Sequence, residues 1–218
     1  LAFALEAVIV QRLLLRADHS GMVPALDGNY FVQTAALAHN DSGVFRDDWI
    51  TLKANAASPC VFTKGIETVR LPIRHGEGKF VADPEVLAEI EAKNLAAVRY
   101  CSAEGSAPNG FPENPNGSLN DIAGICDESG RIFGLMPHPE AFLSPYNAPD
   151  WTTARDEGRL PAQGDGVPFF ENAVNFAAEN QIPGSIGFDC FHKFGSNSHR
   201  KIKHLQGCIF AFGRDKGL

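Results

Sequence analysis

The chain has 218 residues, of which 44% are hydrophobic and 21% charged, with a net charge of −7 and a pI near 5.5. That is an ordinary composition for a soluble globular protein with room for one good-sized core. It argues against a nucleic-acid-binding surface, which is normally basic.

The opening "LAFALEAVIVQRLLLR" predicts an apolar helix over residues 1–16. A membrane span needs roughly 20 apolar residues in a row, and Glu6 and Arg12 interrupt this one. The basic start of a secretory signal is also missing. A start at Leu1 rather than Met is what a fragment would show. "SGMVPALDG" predicts a connection, with Gly and Pro as breakers. "NYFVQTAALAHN" is β-prone at its start, "NDSG" (40–43) is a turn signal, and "VFRDDWITLK" alternates like a strand. "ETVRLPI" (67–73) predicts a further strand that runs into "RHGEGK". Residues 84–93 predict a helix, with Asp83 as its cap, Pro84 in its first turn and Val86, Leu87 and Ile90 on one face.

"NLAAVRYC" is a buried type of strand, and "APNGFPENPNGS" a loop. "DIAGIC", "DESG" and "RIFGLM" together predict a hairpin. Residues 141–167 are rich in Pro, Asp and Gly and predict a long surface loop. "PFFENAVNFAAEN" (168–180) predicts an amphipathic helix with Phe169, Phe170, Val174 and Phe176 as core contacts. Strands mixed with helices argue for an α/β fold. The five cysteines are odd in number and irregular in spacing, which points to reduced thiols in a cytoplasmic protein.

The chemistry starts at "GLMPHPE". In an extended backbone residues i and i+2 face the same way, about 6–7 Å apart. Pro137 and Pro139 stiffen the segment and aim His138 and Glu140 together. A carboxylate beside an imidazole fixes its tautomer and supports it as a base, the supporting half of a nucleophilic triad. The competing reading is a surface His and a surface Glu that happen to flank a proline turn.

Three longer stretches carry a family resemblance: "MVPALDGNYFVQTAALAHNDSGVFRDDW", "LPIRHGEGKFVADPEVLAEIEAKN" and "NPNGSLNDIAGICDESGRIFGLMPHPEAF". They resemble the glutaminase part of phosphoribosylformylglycinamidine synthases, class I glutamine amidotransferases of de novo purine synthesis. The likeness runs from about Gly21 to about Ala178. It implies a class I amidotransferase (flavodoxin-like) sheet with its N-terminal strands missing. It implies a cysteine on a strand-to-helix elbow that attacks the glutamine amide, with His138 and Glu140 completing the triad. It also implies a larger synthetase partner that uses ATP and Mg, and leaves room for a small bridging subunit. No cofactor is expected in this chain, and neither nucleic acid nor membrane is an expected partner.

The elbow of the family is Gly-x-Cys-Asn-Gly, and it should precede "SGMVPALDG". What stands there is "AVIVQRLLLRADH", with no cysteine and no glycine. A shifted reading frame would turn a Cys-Asn-Gly codon run into Gln-Arg, and Gln11-Arg12 stands at that place. No other cysteine substitutes. Cys126 and His138 are expected at opposite ends of the hairpin, about 20 Å apart. Cys60 lies in a surface-like connection, Cys101 precedes a loop, and Cys190 and Cys208 fall beyond the resemblance. The chain departs from the family's "HNDSGRFEDRW" at Val44, Arg46 and Asp48, which unsettles any ion pairs made there.

His75 and Glu77 of "RHGEGK" line the glutamine pocket or the ammonia exit if the resemblance extends to them; otherwise this is a solvated turn. Residues 181–218 hold six Lys/Arg and two Asp, a charge of +4 against −11 for the remainder. Their Cys190, His192, His199, His204 and Cys208 match zinc spacing only at His199 and His204, so a basic tail is expected there rather than a metal site. The expected organisation is thus an unmatched helix over 1–19, the amidotransferase portion over 20–180 and an unmatched tail over 181–218.

Overall fold

The computed structural model describes residues 14–15, 22–23, 35–180, 186–192 and 205–212, with side chains from 35 to 180. In chain order the strands are β1 (Leu14–Leu15), β2 (Met22–Val23), β3 (Ala35–Ala38), β4 (Arg46–Ala54), β5 (Thr68–His75), β6 (Lys79–Ala82), β7 (Ala96–Cys101), β8 (Ile122–Cys126), β9 (Ile132–Leu135), β10 (Ile186–His192) and β11 (Leu205–Phe212). The helices are α1 (Pro84–Ala92), α2 (Trp151–Asp156) and α3 (Val167–Glu179).

Seven strands form one sheet in the order β10-β11-β9-β8-β7-β4-β5, while β1 pairs with β2 and β3 with β6. Every described pair is antiparallel. The mixture of helix and strand is α/β as expected, but the parallel pairing of a flavodoxin-like sheet is not among these pairs. The reason is plainest between β8 and β9: five residues separate them, and a parallel crossover takes a dozen or more. The hairpin has the expected limits, with Gly124 opposite Leu135 and Cys126 opposite Phe133.

The sheet curls. Just past β9, the His138 N–H donates to the Pro72 carbonyl on β5 at 2.9 Å, although β5 lies four strands along in the sheet order. Pro72 can sit in β5 because an edge strand need not use every N–H. Val69, Leu71, Ile73 and His75 alternate onto the buried side of β5, the period-2 pattern of a half-buried strand. Helix α3 seals the other end of the core. Its Phe169 stacks on Phe133, which stacks on Phe62, at 6.3 and 5.9 Å. The Asn172 amide ties α3 to the carbonyls of Phe62 and Lys64 at 2.9 and 2.8 Å.

Several expectations need correcting. Leu14–Leu15 is strand paired to Met22–Val23 rather than helix; the rest of the 1–16 prediction lies outside the described residues, as does the 30–34 stretch, and the strand that follows is Ala35–Ala38. Val174 is 55% exposed, because Phe169 and Ala173, spaced i, i+4, hold the inner stripe of α3. The 141–167 segment is not merely a surface loop: it contains α2, and Phe142 and Pro145 are buried. Cys60 is buried too, not surface-like. In the expected tail, β10 and β11 form a hairpin whose β11 extends the sheet from β9.

Asp83 does occupy the N-cap of α1, but its side chain accepts no cap hydrogen bond. Asp83→Ala is therefore expected to shift unfolding free energy by less than about 0.5 kcal/mol, against about 1 kcal/mol for a bonded cap. A urea titration of the two proteins checks this.

Candidate active site

His138 and Glu140 meet. The Glu140 carboxylate lies 2.8 Å from His138 Nδ1, and the imidazole is only 1% exposed. The local reason differs from the extended-strand expectation. His138 has φ −110° and ψ 86°, and Pro139–Ala141 forms a 3-10 turn immediately after it. The turn brings Glu140 back onto the ring, where an extended backbone would leave about 6–7 Å. An ionised carboxylate can only accept, so Nδ1 carries the proton and Nε2 is left as the basic nitrogen.

The turn is held from both sides. The His138 N–H is spent on β5. On the other side the Gly166 N–H donates to Phe142 O at 2.9 Å and the Gly164 N–H to Leu143 O at 3.0 Å. Phe142 is buried edge-on against Trp49, with ring centroids 5.0 Å apart.

His75 is wholly buried, so the reading of "RHGEGK" as a solvated turn fails for it. Its Nδ1 lies 3.0 Å from Asn40 Oδ1. The same Oδ1 accepts from the Gly78 N–H at 3.0 Å, and Asn40 Nδ2 donates to the carbonyls of His75 and Val44, both at 2.9 Å. Burial first, and then the nearby His138 charge, lower the His75 pKa to about 4. Glu77 is half-buried, and its carboxylate lies 3.7 Å from Nδ1 of the exposed His39.

Around this pair the three stretches of the resemblance interlock. Asn116 of "NPNGS" donates to Gly78 O at 2.7 Å and to the Tyr100 hydroxyl at 2.8 Å. Ser118 Oγ donates to Asn116 Oδ1 at 2.7 Å and accepts from the Phe80 N–H at 2.9 Å. The Asn40 N–H donates to Gly76 O and the Asp41 N–H to Asn116 O. Asn40, Tyr100, Asn116 and Ser118 were not singled out from the sequence. Asn and Ser in turn-like runs usually signify local turn chemistry, and nothing local shows that these turns are buried against one another. For His75 a signal did exist: the alternation Val69, Leu71, Ile73 ends on it.

Of the described cysteines, Cys126 lies on the hairpin that leads to His138. Cys126 sits opposite Phe133, five residues before His138, or roughly 17 Å at about 3.4 Å per residue. Its sulfur contacts the Ser58 hydroxyl at 3.5 Å. Hydrogen bonding from Cys60 lowers its pKa, while burial raises that of Cys60. Burial also raises the Cys101 pKa, the opposite of an activated thiol. At the departures from the family pattern, the Arg46 guanidinium lies 4.3 Å from the centre of the Phe111 ring. Asp48 accepts from the Trp49 N–H, and Val44 is exposed. Among the described residues no group of three or more His, Cys, Asp or Glu could hold a metal. The side chains of Cys190, His192, His199, His204 and Cys208 lie outside the described ones. Among the described residues no helix is long and apolar enough to cross a membrane.

The model of the CobB/CobQ-like glutamine amidotransferase domain matches residues 14–177, and the chain belongs to that family. Within it, the chain is 44% identical over 156 residues to the phosphoribosylformylglycinamidine synthase subunit PurQ of Dehalococcoides mccartyi, covering 72% of this chain and 56% of that one. It is 41% identical over 163 residues to the PurQ subunit of Methanococcus maripaludis, covering 71% and 58%. A chain in the solved structure of PurLQS from Thermotoga maritima is 32% identical, with a TM-score of 0.41 over 66% of this chain and 53% of that one. The chain thus spans a little over half the length of the curated relatives it matches.

Proposed function

We propose that this chain carries the acid–base half of a glutamine-hydrolysing site and derives from the glutaminase component of a phosphoribosylformylglycinamidine synthase. The observation that carries this reading is the 2.8 Å contact between buried His138 and Glu140. In such a site a cysteine thiolate attacks the carboxamide carbon of glutamine. As the C–N bond breaks, His138 Nε2–H protonates the departing amide nitrogen to release ammonia, and water then hydrolyses the thioester to glutamate with the same nitrogen as base. Glu140 holds the tautomer and stabilises the imidazolium. His75 and Glu77 are assigned to the wall of the glutamine pocket or the ammonia exit. The ammonia serves a larger synthetase, which spends ATP with Mg to convert formylglycinamide ribonucleotide to the formylglycinamidine in purine synthesis. The glutaminase chain itself uses no cofactor. Residues 20–180 are the amidotransferase portion in this reading, and the protein works in the cytoplasm.

Without a cysteine at the elbow position the chain is inactive as it stands. Incubation with L-glutamine is expected to release no glutamate above a blank. Glutamate release that disappears in His138→Ala would overturn the inactivity. A second reading, a non-catalytic subunit that docks on the synthetase, is favoured by the geometry of the described cysteines. Co-purification with a synthetase, without glutaminase activity, would support it. Another glutamine-using or peptide-using amidotransferase is the weaker third reading, because "RHGEGKF" and "NPNGS" point to the purine enzyme. The genomic DNA read in all frames tests the frameshift: without a Cys-Asn-Gly elbow in any frame, that origin fails.

A further inference from the structure

Residues 164–166 read Gly-Asp-Gly, and an aspartate in such a run usually bonds to its own turn. Asp165 reaches further. Its Oδ2 accepts from the Arg70 N–H on β5 at 2.8 Å, across 95 residues of chain. Strand β5 closes one end of the seven-strand order, so one row of its backbone groups faces away from β4 and takes partners from elsewhere. Arg70 and Pro72 are two residues apart on that strand, about 6–7 Å, and point the same way. Asp165 holds the N–H of the first, and the His138 N–H donates to the carbonyl of the second at 2.9 Å.

The two glycines complete a circuit. The N–H groups of Gly166 and Gly164 donate to Phe142 O and Leu143 O. A β-carbon on Gly164 would lie 2.7 Å from the Phe142 carbonyl carbon, and one on Gly166 2.7 Å from that of Pro139. The run therefore lies flat on the turn that carries Glu140. From β5 the bonds pass from Pro72 to His138, through residues 139–143 to Gly164 and Gly166, and back through the Asp165 carboxylate to Arg70. Arg70 is itself anchored. Its Nη1 lies 2.9 and 3.1 Å from the two Asp150 oxygens. Its guanidinium lies 5.2 Å from the centre of the Trp49 ring, the ring against which Phe142 packs.

We propose that Asp165 is a positioning residue for the His138–Glu140 pair: it ties Gly164–Gly166 to the same strand that holds His138, which keeps the turn closed and the Glu140 carboxylate on His138 Nδ1. This rests on His138 being the acid–base group. A carboxylate suits the task, because its bond to an N–H is charge-assisted and stronger than that of a neutral acceptor. Asp165 acts through the turn and is not itself a catalytic residue.

The test reads the proton position on His138 from ¹⁵N-histidine spectra of the full chain at alkaline pH, where imidazole is neutral. In Asp165→Ala the ratio of the Nδ1–H to the Nε2–H form is expected to fall at least about threefold, part of what a hydrogen bond to a charged group contributes. Asp165→Asn keeps an acceptor and should restore most of the parent's ratio. Ile90→Val, a buried change in α1 outside the circuit, should leave the ratio alone. A folded Asp165→Ala protein with the parent's ratio would overturn the proposal, and so would an equal shift in Ile90→Val, which is what a merely structural role predicts. If Asp165→Ala does not fold, amide exchange in Asp165→Asn decides. There the weaker acceptor should speed the Arg70 and His138 amides by the same factor. An Arg70 amide that does not respond, or that responds without His138, overturns the proposal. None of these readouts depends on glutamine turnover, so a failure here is separable from a failure of the glutaminase reading.

Discussion

Gly166→Ala is expected to destabilise the protein by about 3 kcal/mol, the upper end for forced overpacking. It is also expected to loosen the His138–Glu140 contact. Gly166 stands at the N-cap of α3 with φ −73°, so the backbone angle itself would accept an alanine. Space is the obstacle. The β-carbon would fall on the Pro139 carbonyl, 2.7 Å from its carbon and 2.8 Å from Phe142 O. These are backbone atoms of the turn that carries Glu140, and no side-chain rotation can clear them. Neither partner can retreat. Helix α3 is pinned by Phe169 against Phe133, and the turn by Phe142 against Trp49 and by the His138 bond to β5. The relief that remains is displacement of residues 139–142, which takes Glu140 away from the imidazole. Urea unfolding measures the stability, and the ¹⁵N shift of His138 Nδ1 reports the hydrogen bond to Glu140. A variant as stable as the parent with an unchanged His138 signal would show that the turn is not held as described.

What the sequence revealed of the site, and what it concealed, follows the range of the interactions. "MPHPE" is local. Two prolines and an i, i+2 pair could be read directly, and the error was confined to the backbone path, a 3-10 turn instead of an extended strand. Strands with clear alternation, such as 67–73, and the helix over 84–93 were legible within a few residues. The polar network was not. Asn40, Gly78, Tyr100 and Asn116 are joined across sequence separations of 16 to 38 residues, and each reads locally as turn, strand or loop. Cys60 illustrates the same limit. It follows a proline in a polar connection, but the segment is drawn inward when the Val61 N–H bonds to Gly130 O on the hairpin turn. Val174 shows the converse: apolar residues on more than one face of α3 left several to choose from, and the tertiary contact with Phe133 selected Phe169 and Ala173.

Acid should weaken this fold through His75, by up to about 3 kcal/mol. The unfolded chain presents an ordinary histidine that takes up a proton near pH 6.5. In the folded protein, burial and then the nearby His138 charge lower the His75 pKa to about 4. Between those values the unfolded state binds the extra proton, so stability falls as pH falls. The contribution is complete above pH 6.5, declines by about 1.4 kcal/mol per pH unit in between, and levels off below about pH 4. His75→Gln removes this titration while every other ionisable group remains. The variant is expected to be less stable at pH 7, having lost a packed ring under Gly78, but its stability should decline less steeply into acid. The informative quantity is the difference between parent and variant, from urea titrations at pH 7, 6, 5 and 4.5, in which titrations common to both cancel. That difference should shrink toward pH 4.5. Parallel curves would mean that His75 is as easily protonated folded as unfolded, which a ring enclosed by Gly78 and held at Nδ1 by Asn40 does not allow.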